Sequence, residues 1–191
     1  MLNASLTIRQ HSIQLARQIC AARPVYVDTE TTGLDRTDEI VEISIVDHDG
    51  SVLLETLIKP SRPIPATAMR VHGITNEEVQ TARPWPVVWP LVRSILLDRV
   101  IVFYNEEFDL RMMQQSHARY NLVWSERFKT LDLLKLYAEF RGEWDGKRRS
   151  YRYHSLADAG RQCQISLPNA HRSTADTLLT RALLLHIAES T

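Results

Sequence analysis

The stretch VYVDTETTGL, residues 25–34, constrains this chain more than any other. A β-branched and aromatic run of this kind favours a buried strand. Yet it ends in Asp28 and Glu30, two carboxylates one residue apart. Alternate residues of a strand point to the same side, so both acids share one face at the end of a strand. A chain that buries such a strand must also give that pair of charges something to hold.

The strand has company. In EIVEISIVDHDGSVLLETLIKP two alternating apolar runs flank HDGS, and Asp49-Gly50 is a strong hairpin signal. Strands one to three therefore read as a meander. Ahead of them, residues 4–21 place Ile8, Leu15 and Ile19 near one helical face, and Pro24 blocks continuation. This is a leading helix, within residues 1–22, packed on a domain formed by residues 23–191. Residues 60–67, with Pro60, Pro63 and Pro65, read as an extended connection. PWPVVWPLVRSILL leads through a Pro-rich entry into a helix ending near Leu97.

RVIVFY reads as a fourth strand. Asn105 follows at an N-cap position, with Glu106 and Glu107 opening a helix that runs to about Ala118. RFKTLDLLKLYAEF suggests a short strand entering a helix, RGEWDGKRRSYRYH a polar, basic loop, and SLADAGRQC and STADTLLTRALLLHIAE two closing helices. A meander followed by strands alternating with helices describes an α/β fold, a mixed sheet covered by helices. At 191 residues, 44% of them hydrophobic, the chain suits one such domain. Lysines and arginines equal aspartates and glutamates at 23 each, so no global field draws the protein to a polyanion, although a local patch or bound cations can supply the attraction. The sequence shows no spanning apolar run and no signal-peptide pattern, and a cytoplasmic location with no membrane partner is expected. Cys20 and Cys163 have neither metal-ligand nor disulfide-framework spacing.

Four acids fall at element ends: Asp28, Glu30, Asp109 in the first turns of the helix after strand four, and Asp176 at the start of the last helix. Such positions converge at one edge of an α/β sheet. Gathered there, the four would repel one another unless divalent cations sat among them. Hard oxygen donors suit Mg²⁺ or Mn²⁺, and a pair of such ions activates water for phosphodiester cleavage. His171, in the loop before a helix capped by Ser173, supplies a base that accepts a proton near neutral pH. Each motif alone has an ordinary use: NEEFD as a helix start, STAD as a capping box, His171 as a solvated loop histidine.

Taken in order, VDTETTGL, VHGIT, NEEFD and HRSTAD resemble the motifs of the DEDDh branch of the DnaQ-like 3′→5′ exonucleases, the superfamily of the polymerase III proofreading subunit. The resemblance covers about Val25 to Ile187. It implies an RNase H-like fold with a five-stranded mixed sheet flanked by helices. It also implies Asp28, Glu30, Asp109 and Asp176 as ligands of two Mg²⁺ or Mn²⁺ ions, with His171 as general base. By the same match Thr31, Leu34, His72 and Phe108 line the pocket of the 3′-terminal nucleotide. The implied partner is a nucleic acid 3′ end, single-stranded or frayed DNA first and RNA second, released as nucleoside 5′-monophosphates. The chain departs from the pattern at Phe103 and Tyr104, ahead of Asn105, and at Ser173, where the family usually has Ala.

Arg141, Lys147, Arg148, Arg149 and Arg152, interleaved with Trp144, Tyr151 and Tyr153, read equally as a solvated loop or as a single-strand track. Leu178, Leu179, Leu183 and Ile187 of the last helix read as core. Two other functions fit the same residues: a nucleic-acid-binding or scaffolding module with little turnover, and a nuclease restricted to short RNA or free nucleotides.

Overall fold

A computed structural model describes residues 7–165 and 172–191. The alternation around VYVDTET becomes β1 (Val25–Thr31), and the HDGS turn joins β2 (Ile40–Asp47) to β3 (Val52–Lys59). Gly50, at φ +96°, adopts the left-handed conformation that this tight turn requires. β1, β2 and β3 pair antiparallel as the expected meander. β5 (Val100–Phe103) and β6 (Lys129–Asp132) then add parallel on the other side of β1. These are the five expected strands. A two-residue strand, β4 (Arg83–Pro84), pairs with the end of β3 and makes the sheet six-stranded, in the order β4-β3-β2-β1-β5-β6.

Helices cover both faces. On one side Val25, Val27, Ile43 and Ile45 meet α4 (Trp85–Leu96) and α5 (Glu106–Arg119) through Trp89, Val92, Met112 and Met113. On the other, Tyr26 and Val102 meet α1 (Ile8–Ala21), α6 (Leu133–Arg141) and α8 (Ser173–Glu189) through Ala16, Leu136, Tyr137 and Leu184. Leu183 and Ile187 are buried there as expected, Leu179 is buried beside Gly160, and Leu178 is half-buried. α7 (Leu156–Gln162) packs beside α8, and the short α2 (Ala66–His72) and α3 (Asn76–Val79) cover the third small cluster, around Val41 and Ile74.

Several local expectations are corrected. The buried stripe of α1 is Ser12, Ile13 and Ala16, with Ile8 exposed and Leu15 and Ile19 on its flank. Residues 60–67 are not extended throughout, because α2 begins at Ala66 with Pro65 as its N-cap. The basic segment is not a plain loop: β7 (Trp144–Asp145) and β8 (Ser150–Tyr151) form a small antiparallel hairpin. α1 is fastened across the fold, its Arg17 donating from Nε to the Ala188 carbonyl and from Nη2 to that of Ser190, both at 2.8 Å.

The α4 side holds an aromatic cluster. Trp89 packs on Trp85, His117, Trp124 and Phe128, and Trp85 Nε1 lies 3.0 Å from His117 Nδ1. Removing a buried indole from such a cluster loses both transfer energy and the contacts of its neighbours. Trp89→Ala is expected to lower unfolding stability by about 3–5 kcal/mol in urea denaturation. A loss below about 1 kcal/mol would show that this layer contributes little to the core.

Candidate active site

Asp28 and Glu30 extend from the same face of β1, the face covered by α8. Asp176 lies in the first turn of α8. The three carboxylates meet: each offers an oxygen, and these atoms all lie within 4.8 Å of one another, with each residue half-buried. Asp109 is placed differently. It is buried in the first turn of α5, against the opposite face of β1, and is not part of that three-residue group. Thr29, which points to that face, donates its hydroxyl to Asp109 Oδ1 at 2.7 Å.

The electrostatics follow from this crowding. Desolvation, then the charges of Asp109, Glu30 and Asp176, push the Asp28 carboxyl well above its ordinary value. Glu30 rises to about 8 through burial and the charges of Asp176, Glu42 and Asp109, which the Arg172 guanidinium partly offsets. Burial carries Asp109 to about 7 against the lowering effect of the Thr29 hydroxyl. Three hard oxygen donors within ligand reach of a common point, two of them, Asp28 and Glu30, raised by burial and by neighbouring carboxylates, fit a small divalent cation.

Beside Glu30 opens a cleft of about 560 Å³. Thr31, Leu34, His72 and Phe108 all line it, together with Pro65, Ala68 and Val71. Its walls come from the end of β1, the turn that follows, α2 and the start of α5. Thr31 donates its hydroxyl to the Gly33 carbonyl at 2.7 Å and shapes that turn, while Leu34 stands at the rim, 75% exposed. His72 is buried, and its Nδ1 accepts from the Ile74 amide at 3.0 Å. Desolvation lowers its imidazole pKa, opposed in part by the Thr31 backbone. His171 lies outside the described residues.

Two capping expectations change. Asn105 occupies the N-cap of α5 but makes no side-chain cap bond; it supplies instead a left-handed turn at φ 78°. Ser173 is the first residue of α8 rather than its cap, and its hydroxyl is turned to β2. The residue there is Glu42, which the sequence reading passes over. It is 1% exposed and accepts from Arg172 and Ser173. A lone carboxylate inside the apolar run IVEISIV was its available signal. In the basic segment, Arg141 at the end of α6 pairs with Glu143 at 2.8 Å and Arg148 with Asp145 at 3.8 Å, which dilutes the charge of that segment.

Comparison with known proteins agrees with this geometry. Residues 25–184 match the RNase_T family of exonucleases. The chain is 37% identical over 172 residues to an uncharacterized exonuclease, CP81, of Escherichia phage 186, with 86% of this chain and 88% of that protein aligned. A PolC-type DNA polymerase III of Thermotoga maritima is 31% identical over 171 residues, which cover 86% of this chain but 12% of the polymerase. The solved structure of Exonuclease X in complex with 5′ overhanging duplex DNA superposes with a TM-score of 0.62 at 27% identity, over 85% of this chain and 89% of that one. A meander with parallel strands added beside it, three acids meeting where β1 ends, and a family match across most of the length lead to one conclusion: the chain belongs to the RNase_T exonuclease family, DnaQ-like in its motifs and RNase H-like in its fold.

Proposed function

We propose that the protein is a divalent-metal-dependent 3′→5′ exonuclease of the DEDDh type. The observation that carries this reading is the meeting of Asp28, Glu30 and Asp176 beside a cleft of nucleotide size. Asp28, Glu30, Asp109 and Asp176 would hold two Mg²⁺ or Mn²⁺ ions, which when bound supply an acidified water and charge stabilisation at the departing oxygen. Asp109 completes the set from the α5 side, its orientation fixed by Thr29.

The chain's own residues do the rest. Leu34, Phe108 and His72 receive the terminal nucleoside in the cleft, and Thr31 keeps the turn beneath it in shape. His171, assigned by its motif, accepts a proton from the attacking water. A water oxygen bonds to the last phosphorus, the bond from that phosphorus to the preceding 3′ oxygen breaks, and a nucleoside 5′-monophosphate leaves. The shortened strand keeps a 3′-hydroxyl, ready for the next cycle. Exonuclease X was solved with a 5′ overhanging duplex, a substrate whose 3′ end is recessed; this supports DNA ends as the first substrate to try.

The deciding experiment compares 3′-labelled and 5′-labelled single strands of DNA and RNA, and a recessed duplex, with Mg²⁺, Mn²⁺ or chelator. Stepwise ladders from the 5′ label with immediate mononucleotide release from the 3′ label are expected, with a loss of at least about a thousandfold in Asp28→Asn. Cleavage that survives chelation or that substitution would remove the site assignment. Wild-type protein that binds the strands without cutting would favour the binding-module reading.

His171 predicts a cleavage rate that rises from acid pH through the imidazole range and a flattened, depressed profile in His171→Ala. Identical profiles for the two proteins, with chemistry rate-limiting, would exclude it as the base.

Stability should report the carboxylates independently. Unfolded Asp and Glu titrate near pH 4, whereas folded Asp109 and Glu30, without cations, titrate at about 7 and about 8. The folded chain holds these protons more tightly, so their contribution is full below about pH 4 and is lost as pH rises toward about 8. With chelator, the melting temperature should fall between pH 5 and pH 8, less steeply in Glu30→Gln. Mg²⁺ should restore it at pH 8 more than at pH 5, where protons compete. A melting temperature that climbs over this range with chelator present, equally in both proteins, would contradict the burial and crowding of these carboxylates.

A further inference from the structure

We propose that Glu42 is a positioning residue for the candidate metal site: it caps α8 from the neighbouring sheet and thereby sets where Asp176 stands. This rests on the reading that Asp28, Glu30 and Asp176 hold cations.

Glu42 sits opposite Glu30 in the β1–β2 register, on the same face of the sheet. Like charges at opposed positions destabilise a sheet, and a buried carboxylate needs compensating donors. Glu42 has four. Its Oε1 accepts from Arg172 Nη2 at 2.5 Å, and its Oε2 accepts from Arg172 Nε at 3.2 Å, the Ser173 amide at 3.1 Å and the Ser173 hydroxyl at 2.9 Å. Two residues along β2, Ser44 Oγ lies 2.7 Å from Ser173 Oγ and 2.6 Å from Thr174 Oγ1.

These bonds all end on the N-cap and first turn of one helix. α8 has no side-chain cap of its own, since Arg172 at the N-cap makes none. The first amides of a helix need acceptors, and a carboxylate is the strongest available. β2 provides it from across the interface. Asp176 lies three residues beyond Ser173, and its amide donates to the Arg172 carbonyl at 3.1 Å. The position of its carboxylate along and around the helix is therefore referred to Glu42, as Asp109 is referred to Thr29. Packing alone does not call for this arrangement, because an apolar residue would fill the same space without a buried charge beside two other acids.

Mn²⁺ binding to the whole protein, followed by the electron paramagnetic resonance of free Mn²⁺, tests the proposal without a turnover assay. Wild type, Asp28→Asn, Asp176→Ala and Glu42→Gln are titrated at one pH, with circular dichroism to establish the folded fraction. Gln keeps the volume but turns an NH₂ group toward donors. Glu42→Gln is expected to weaken binding by about tenfold with the number of sites unchanged. A purely structural lesion would lower the number of folded sites and leave the affinity of the remainder intact. Wild-type affinity in Glu42→Gln, alongside weakened binding in Asp176→Ala, overturns the positioning role while sparing the metal site. No Mn²⁺ binding by wild type, or binding unaffected by Asp28→Asn, overturns both. If Glu42→Gln does not fold, Arg172→Met is read in its place: weakened affinity at unchanged stoichiometry supports the clamp, and unchanged affinity overturns it.

Discussion

Repulsion between carboxylates is the constraint around which this fold is arranged. β1 carries two of them out of the core on one face, and α5 and α8 each bring another. Burial, and then the charges of neighbouring acids, raise the proton affinity of Asp28 and Glu30, a cost that protons or cations relieve. The surrounding structure accepts this tension by fixing the acids firmly. Thr29 restrains Asp109, and the hydrogen bonds of Glu42 and Ser44 restrain the turn that bears Asp176. The two hydrophobic layers, clamped on opposite faces of β1, keep the three elements from moving apart.

Much of this was legible in the order of the residues. Period-two alternation and Asp49-Gly50 gave the meander, because both are local signals whose geometry requires little context. Asp28 and Glu30 could be set on one face by strand periodicity alone, and α8 needed only STAD and the leucines behind it. What could not be read depends on partners distant in sequence. Ser173 has the chemistry of a cap, yet an acid 131 residues away takes that role and draws its hydroxyl to β2. Asn105 has the right residue type for a cap but is used for its tolerance of positive φ.

Short elements escaped for a different reason. α2 and α3 have too few turns to show a helical period, and α2 is recognisable mainly by Gly73, whose left-handed backbone ends it. The β7–β8 hairpin has two residues per strand, too few for alternation. On α1 the buried positions include Ser12 and Ala16, small residues that let the helix approach α8 and α6, so a count of large apolar side chains pointed to the flank of the buried stripe. That Leu34, His72 and Phe108 line one cleft could not be read from period or charge, which join none of them; only likeness to a family names them together.

The fastening of α1 bears on how the chain acquires its shape. Arg17 binds carbonyls at positions 188 and 190, and Ile13 and Ala16 pack with Leu183, Leu184 and Ile187. Nearly the full length of the chain lies between these partners, and closing so long a loop has to await the elements that shorten it. The meander, with its neighbouring contacts, is free to form early. The docking surface of α1 is completed by α8, so α1 docks only once residues synthesised long after it are in place.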